Sequence, residues 1–218
     1  MRIISATIGP LAAASVNAIV TSASGTAGTA LTLTTSPYLL DFARRIIITS
    51  AGDDHLHTFT IVGKDWNGYP VTETLTGATA GNAAQSLYDY TVITSITPVQ
   101  NTTGTVQVGT NGVASTRPIF LDEFGLAPTA IQVNVSGTAN ATVQQSLDNP
   151  NDVGLILGTG YTGINWVNHP DSTLVNLTGT VQGNYAYVPK VVRLLLNSGA
   201  TGTSSVTIRL SQAAITTR

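Results

Sequence analysis

Asp53-Asp54-His55-Leu56-His57 is the stretch of this 218-residue chain where side chains able to ligate a metal crowd together. In a strand, His55 and His57 project from one face, and two imidazoles plus a carboxylate can hold zinc. A third ligand would have to come from His169 or Asp171, which nothing in the sequence brings near. The competing reading is turn chemistry: aspartate favours turns, and Asp53-Asp54 falls where a strand connection is expected. The turn reading prevails, so no metal and no cofactor is expected. The adjacent carboxylates Asp122-Glu123 could suggest glycoside hydrolysis, but neighbours in a strand face opposite ways. Gly-x-Ser-x-Gly, His-Glu-x-x-His, Walker and dinucleotide patterns are absent, and no catalytic residue is assigned. The chain reads as a non-enzyme.

Two aromatic pairs, Trp66 with Tyr69 and Trp166 with Tyr161, have the chemistry of platforms for sugar rings. The same residues fill sandwich cores and protein interfaces, and packing is the preferred reading. The Asn-x-Thr/Ser sites at Asn101, Asn134, Asn140 and Asn176 are what chance yields in a chain this rich in Asn and Thr.

The elements that would position these residues alternate with period two. Leu31–Thr34, His57–Ile61, Val71–Thr76, Ile131–Val135 and Val206–Leu210 each set apolar side chains against hydroxyls or amides. Turn residues stand between them at 66–70, Asn111-Gly112, Asn149–Asn151 and Ser198-Gly199, and Asn67-Gly68 is the clearest hairpin signal. Asn82–Tyr90 and Leu11–Val20 have room for a helical turn or two; Phe120–Leu126 reads as a connector between prolines.

Composition agrees. Threonine supplies 35 residues while charged residues make up 9% of the chain, against about a quarter in ordinary soluble domains. Threonine is β-branched and suits a pleated surface. A neutral, hydroxyl-rich exterior suits a protein packed against copies of itself or partners, since free monomers usually keep soluble by charge. A net charge of −2 and scattered basic residues argue against a nucleic-acid partner, and no apolar run is long enough for a membrane span. The absence of cysteine excludes disulfides and thiolate sites. Met1–Val20 has some features of a secretory signal, but Gly9-Pro10 interrupts it, and it reads as an alanine-rich arm leading into the first strand.

Arg45–Ile61 and Arg193–Ile208 share an order: a basic residue, an apolar strand, a glycine-containing turn and a hydroxyl-alternating strand. They are expected to be equivalent hairpins, with Ile47 and Leu195 facing a core. The fold expected is all-β with little helix: two tandem antiparallel β-sandwich-like domains, 1–112 and 113–218.

With the strands placed, the run Ala43–Asp54, Thr58–Gly68 and Val71–Gly77 resembles tailed-bacteriophage virion proteins, in which an Arg-led apolar strand, an Ala-Gly-Asp turn and a Thr-Glu-Thr strand ending in glycine recur. Val92–Thr97, Gly104–Gly109, Trp166–Asp171 and Val191–Leu196 fit the same pattern; the extreme N-terminus lies outside it. The resemblance implies a structural protein of the virion, made in the bacterial host cytoplasm. Its partners would be copies of itself and the major capsid, portal/adaptor or tail proteins. Head decoration, neck and tail remain open positions within that class. The competing functions are a carbohydrate- or receptor-binding module on the phage tail, and a secreted bacterial surface protein.

Overall fold

The computed structural model describes residues 2–121, 129–149 and 163–212. Of these, 58% lie in strands and 2% in helix, all sheets being essentially antiparallel. The all-β expectation holds. Period two is the cause: β4 (Thr58–Lys64), β5 (Pro70–Thr76), β10 (Thr129–Ser136) and β15 (Ser205–Gln212) bury Phe59, Ile61, Val71, Ile131, Val133, Val206, Ile208 and Leu210, while the residues between them, mostly hydroxyls and amides with Arg209, face outward. The regions allowed a helical turn are otherwise. Leu11–Val20 runs into β2 (Ser15–Ser24), and Asn82–Tyr90 holds the short β6 (Ala83–Gln85). Of the 120–126 connector, Phe120 ends β9 (Ile119–Phe120) and Asp122 onward lies outside the described residues.

The chain forms two compact units, Ala13–Val113 and Met1–Ala12 with Ala114–Arg218. The first twelve residues therefore do not belong with 13–112, where the sequence placed them. β1 (Arg2–Ile8) pairs β15 in unbroken register from Arg2↔Gln212 to Ile8↔Val206, so the supposed arm is itself a strand of the C-terminal unit. Leu11 continues the attachment, its N–H donating to the Ala200 carbonyl at 2.6 Å.

In the N-terminal unit, β4 and β5 form the expected hairpin, Thr58↔Thr76 through Lys64↔Pro70, around a 65–69 loop in which Gly68 has φ +85°. β4 also pairs β7 (Tyr90–Pro98). β3 (Tyr38–Ser50) pairs β7 through Tyr38, Leu39 and Arg44, then β6 through Ile47–Thr49, and also borders β8 (Thr105–Ser115). β2 pairs β8 through two register shifts. Ile19, Ile46, Ile48, Phe59, Ile61, Ile93, Ile96, Val106 and Val108 form the core.

In the C-terminal unit one sheet runs β1-β15-β10-β13, with β13 at Val181–Tyr185. The other centres on β11 (Ala139–Ser146) and β14 (Val191–Gly199), with β12 (Val167–Asn168) beside β11, and β9 and the end of β8 beside β14. Ile8, Val133, Ile208 and Leu210 from the first, with Val143, Leu194 and Leu196 from the second, are fully buried.

The paired segments at Arg45 and Arg193 are not hairpins. β7 lies between β3 and β4, and β14 and β15 belong to different sheets. Their surroundings nevertheless correspond. β4 sits between β7 and edge strand β5, just as β15 sits between β10 and edge strand β1. The registers match residue for residue: Thr60 opposes Thr97 and Thr74, while Thr207 opposes Asn134 and Thr7; Ile61 opposes Ile96 and Glu73, while Ile208 opposes Val133 and Ala6. Strand order differs, because β3–β5 precede β7 and β8, whereas β10 and β11 precede β14 and β15 and β1 comes from the chain's start. The ladder β7-β4-β5 of one unit thus recurs as β10-β15-β1 in the other, with its strands in a different chain order; beyond it the pairing differs, β7 adjoining β3 and β10 adjoining β13. Ile47 is buried as expected, together with Ile46 and Ile48 on either side of it; in the other segment Leu194 and Leu196 are fully buried, while Leu195 is only half-buried.

Candidate functional surface

The Asp53–His57 segment is a turn, and each histidine takes its own carboxylate. His55 Nδ1 lies 2.7 Å from Asp53 Oδ1, and His57 Nδ1 lies 2.8 Å from Asp54 Oδ1. β4 starts only at Thr58, so the two imidazoles have no common strand face. Asp54 is fully buried, and its Oδ1 also accepts from the Thr103 N–H at 2.8 Å and the Thr103 hydroxyl at 2.9 Å. Burial pushes the Asp54 carboxyl up, but bonds from Ser50, Thr103 and His57 outweigh it and hold it below the ordinary value. Asp54 fastens the 51–57 turn to the 99–104 loop. Where these loops cross, a Cβ on Gly52 would stand 2.7 Å from Gly104 N, so the Ala-Gly-Asp turn requires its glycine for close backbone approach.

His169 and Asp171 form a second local motif. Asp171 caps the 172–174 turn through the Thr173 N–H, while His169 Nδ1 accepts the Asp171 N–H at 3.0 Å and its ring lies 4.7 Å from that of Tyr185. Burial lowers the His169 pKa. Among the described residues no group of three or more His, Cys, Asp and Glu side chains is placed to hold a metal. Asp122, Glu123 and Tyr161 lie outside the described residues.

Trp66 and Tyr69 are half-buried in the β4–β5 loop. Asp65 organises that loop, its Oδ1 accepting the Asn67 N–H at 2.8 Å and the Tyr69 N–H at 3.0 Å. Burial holds the Asp65 carboxyl above its ordinary value despite these bonds. Trp166 is also half-buried, with the Arg193 guanidinium 4.3 Å from its ring centroid, so a cation covers one face of that platform.

The structure adds an amide cluster to the sequence reading. Asn197 Nδ2 donates to Asn140 Oδ1 (2.7 Å), Asn176 Oδ1 (2.9 Å) and Thr142 Oγ1 (3.0 Å). Further along, Arg193 Nε donates to Gln144 Oε1, and Gln144 Nε2 donates to Asn168 Oδ1, each at 2.9 Å. Positions 140, 142 and 144 on β11, and 193, 195 and 197 on β14, had the period-two signal that puts them on one face. The sequon asparagines Asn140 and Asn176 are thus structural cross-links.

Two further described faces are largely neutral, with Lys64 on one and Arg209 on the other as exposed charges. On the β5-β4-β7 face, Thr74–Thr60–Thr97 and Thr72–Val62–Ser95 stand in register rows. On the β1-β15-β10-β13 face the rows are Thr7–Thr207–Asn134 and Ser5–Arg209–Gln132–Gln182. A shallow groove of about 270 Å³ crosses the latter face beside Ile3, Arg209 and Gln182. Arg209 is the one charged residue in these rows. Such faces offer hydroxyl and amide hydrogen bonds and apolar anchors, with little charge to screen.

No protein-family model and no curated protein sequence matches the chain.

Proposed function

We propose that this is a non-enzymatic structural protein of a tailed-phage particle, present in multiple copies and binding the shell or the head–tail complex. The observation that carries the proposal is the character of the sheet faces: register-ordered Thr, Ser, Asn and Gln with almost no charge, a surface that gains by being covered. The resemblance of 40–110 and of much of 140–212 to virion proteins supplies the particle. In this reading the faces and loops bury against capsid or connector and sister subunits, through hydroxyl and amide hydrogen bonds, backbone edges and apolar anchors such as the exposed Leu39, Leu56 and Leu87. Position within the particle is a choice among decoration, neck and tail.

The test is density-banded particles from a phage-producing host that expresses the chain, analysed by quantitative mass spectrometry. The proposal expects the chain at a fixed copy number relative to the major capsid protein, retained through high-salt washing. Recovery only in the particle-free fraction would overturn it.

A further inference from the structure

Sheet edges expose backbone N–H and C=O groups, and proteins guard them with brevity, proline, bulges or inward charge. Most described edges here are guarded. β12 and β6 have two and three residues, and β2 is interrupted by register shifts. β5 opens with Pro70 and turns Glu73 into the core, where its carboxylate accepts from the Leu87 N–H and the Tyr90 hydroxyl. β1 carries none of these devices. It is seven residues long, unbroken in register, and without charge or proline from Ile3 to Ile8. The recurring ladder sharpens the contrast, because β1 occupies beside β15 the place that β5 occupies beside β4. Ala6 stands where β5 has Glu73, and Ser5 stands where it has Thr72.

We propose that β1 is a strand-addition site whose occupant is β1 of a second copy of this chain, antiparallel about a two-fold axis at Ser5. The inference rests on the assembly reading above and names its contact. A two-fold interface must complement itself. Rotation about Ser5 sets Ile3 opposite Thr7 and Ile4 opposite Ala6 of the second copy, larger against smaller on both faces of the sheet. Ser5, a small residue, meets itself at the centre, and no like charges meet. Ile3, 60% exposed in the single chain, gains a neighbour at the new pair. Two four-stranded sheets become one of eight. One strand edge buries less than a standard interface, so the contact gains strength where many copies are held together, as in a particle.

The chain has no cysteine, so Ser5→Cys introduces a single thiol. Opposed residues in antiparallel strands lie about 4.5–5.5 Å apart at Cα, within disulfide range. Under mild oxidation S5C should form a covalent dimer, and a mixture of Ile3→Cys and Thr7→Cys chains should cross-link between unlike partners. Thr72→Cys, at the equivalent place on guarded β5, should stay monomeric. Adding Ile3→Lys to S5C should reduce cross-linking at least tenfold while leaving the melting temperature unchanged. Equal cross-linking of S5C and T72C, or failure of both S5C and the I3C/T7C mixture in variants that melt like the parent, would overturn the proposal. If the parent chain still associates in sedimentation, only the β1 contact falls. If it neither associates nor enters particles, the assembly reading falls with it.

Discussion

At the residue scale, two buried aspartates carry opposite pH signatures. Asp54 has its folded pKa below the ordinary value, so it contributes stability above about pH 4, lost as pH falls through the folded pKa. Asp54→Ala removes an acceptor serving His57 and Thr103 and should cost on the order of 2–3 kcal/mol at pH 7. In urea melts the gap between D54A and the parent should shrink toward pH 3; a pH-independent gap would contradict the assignment. Asp65 has its folded pKa raised by burial, so its contribution runs the other way, and stability rises as pH falls through that pKa. Asp65→Asn keeps an oxygen for the Asn67 and Tyr69 N–H groups while removing the buried charge. D65N should be at least as stable as the parent at pH 7, with the difference vanishing below pH 4. A less stable D65N at neutral pH would show that the loop needs the charge. The sequence placed Asp54 in a turn, since that chemistry is local, but gave Asp65, just before the 66–70 turn, no role. It could not show Thr103 as the partner of Asp54, 49 residues away.

At the scale of elements, period two made the strands legible and left their neighbours hidden. Phe59–Val62 and Val71–Leu75 were readable as a hairpin because Asn67-Gly68 lies in the loop that joins them. That β7 separates β3 from β4 was not, since ladder partners distant in sequence leave no local mark. β1 is the extreme case: its Thr7 hydroxyl meets that of Thr207, 200 residues on. Ile47 is buried as expected, but Leu195 is not the core-facing residue of its strand, because Leu194, Leu195 and Leu196 are all apolar and an unbroken run has no alternation to read. Gly63 shows what packing adds. A Cβ there would stand 2.2 Å from the Val92 carbonyl and 2.7 Å from the Tyr90 ring, which lies over the glycine and hydrogen-bonds Glu73. Gly63→Ala should therefore destabilise by about 1–3 kcal/mol, read as a lower urea midpoint. An unchanged midpoint would mean that the β4–β7 ladder adjusts freely at this bulge.

For the molecule as a whole, the unit boundaries predict how the chain can be cut. Residues 13–113 expressed alone should unfold cooperatively. Residues 114–218 should do so only when 1–12 are restored, because β1 is a full edge strand of that unit. A cooperative 114–218 indifferent to the first twelve residues would contradict the division. Association of the intact chain should change little between 50 mM and 1 M salt, since its described sheet faces carry little charge to screen. The β-rich class and neutral surface were legible from composition. The three-strand ladder that recurs in both units was not, because it resides in pairings rather than in residue types. If these neutral surfaces are interfaces within a phage particle, a reconstruction of intact virions containing the chain should show many symmetry-related copies, each burying Thr- and Asn-lined sheet faces against neighbours. Virions lacking its density, or bearing copies whose sheet faces all stand in solvent, would contradict it.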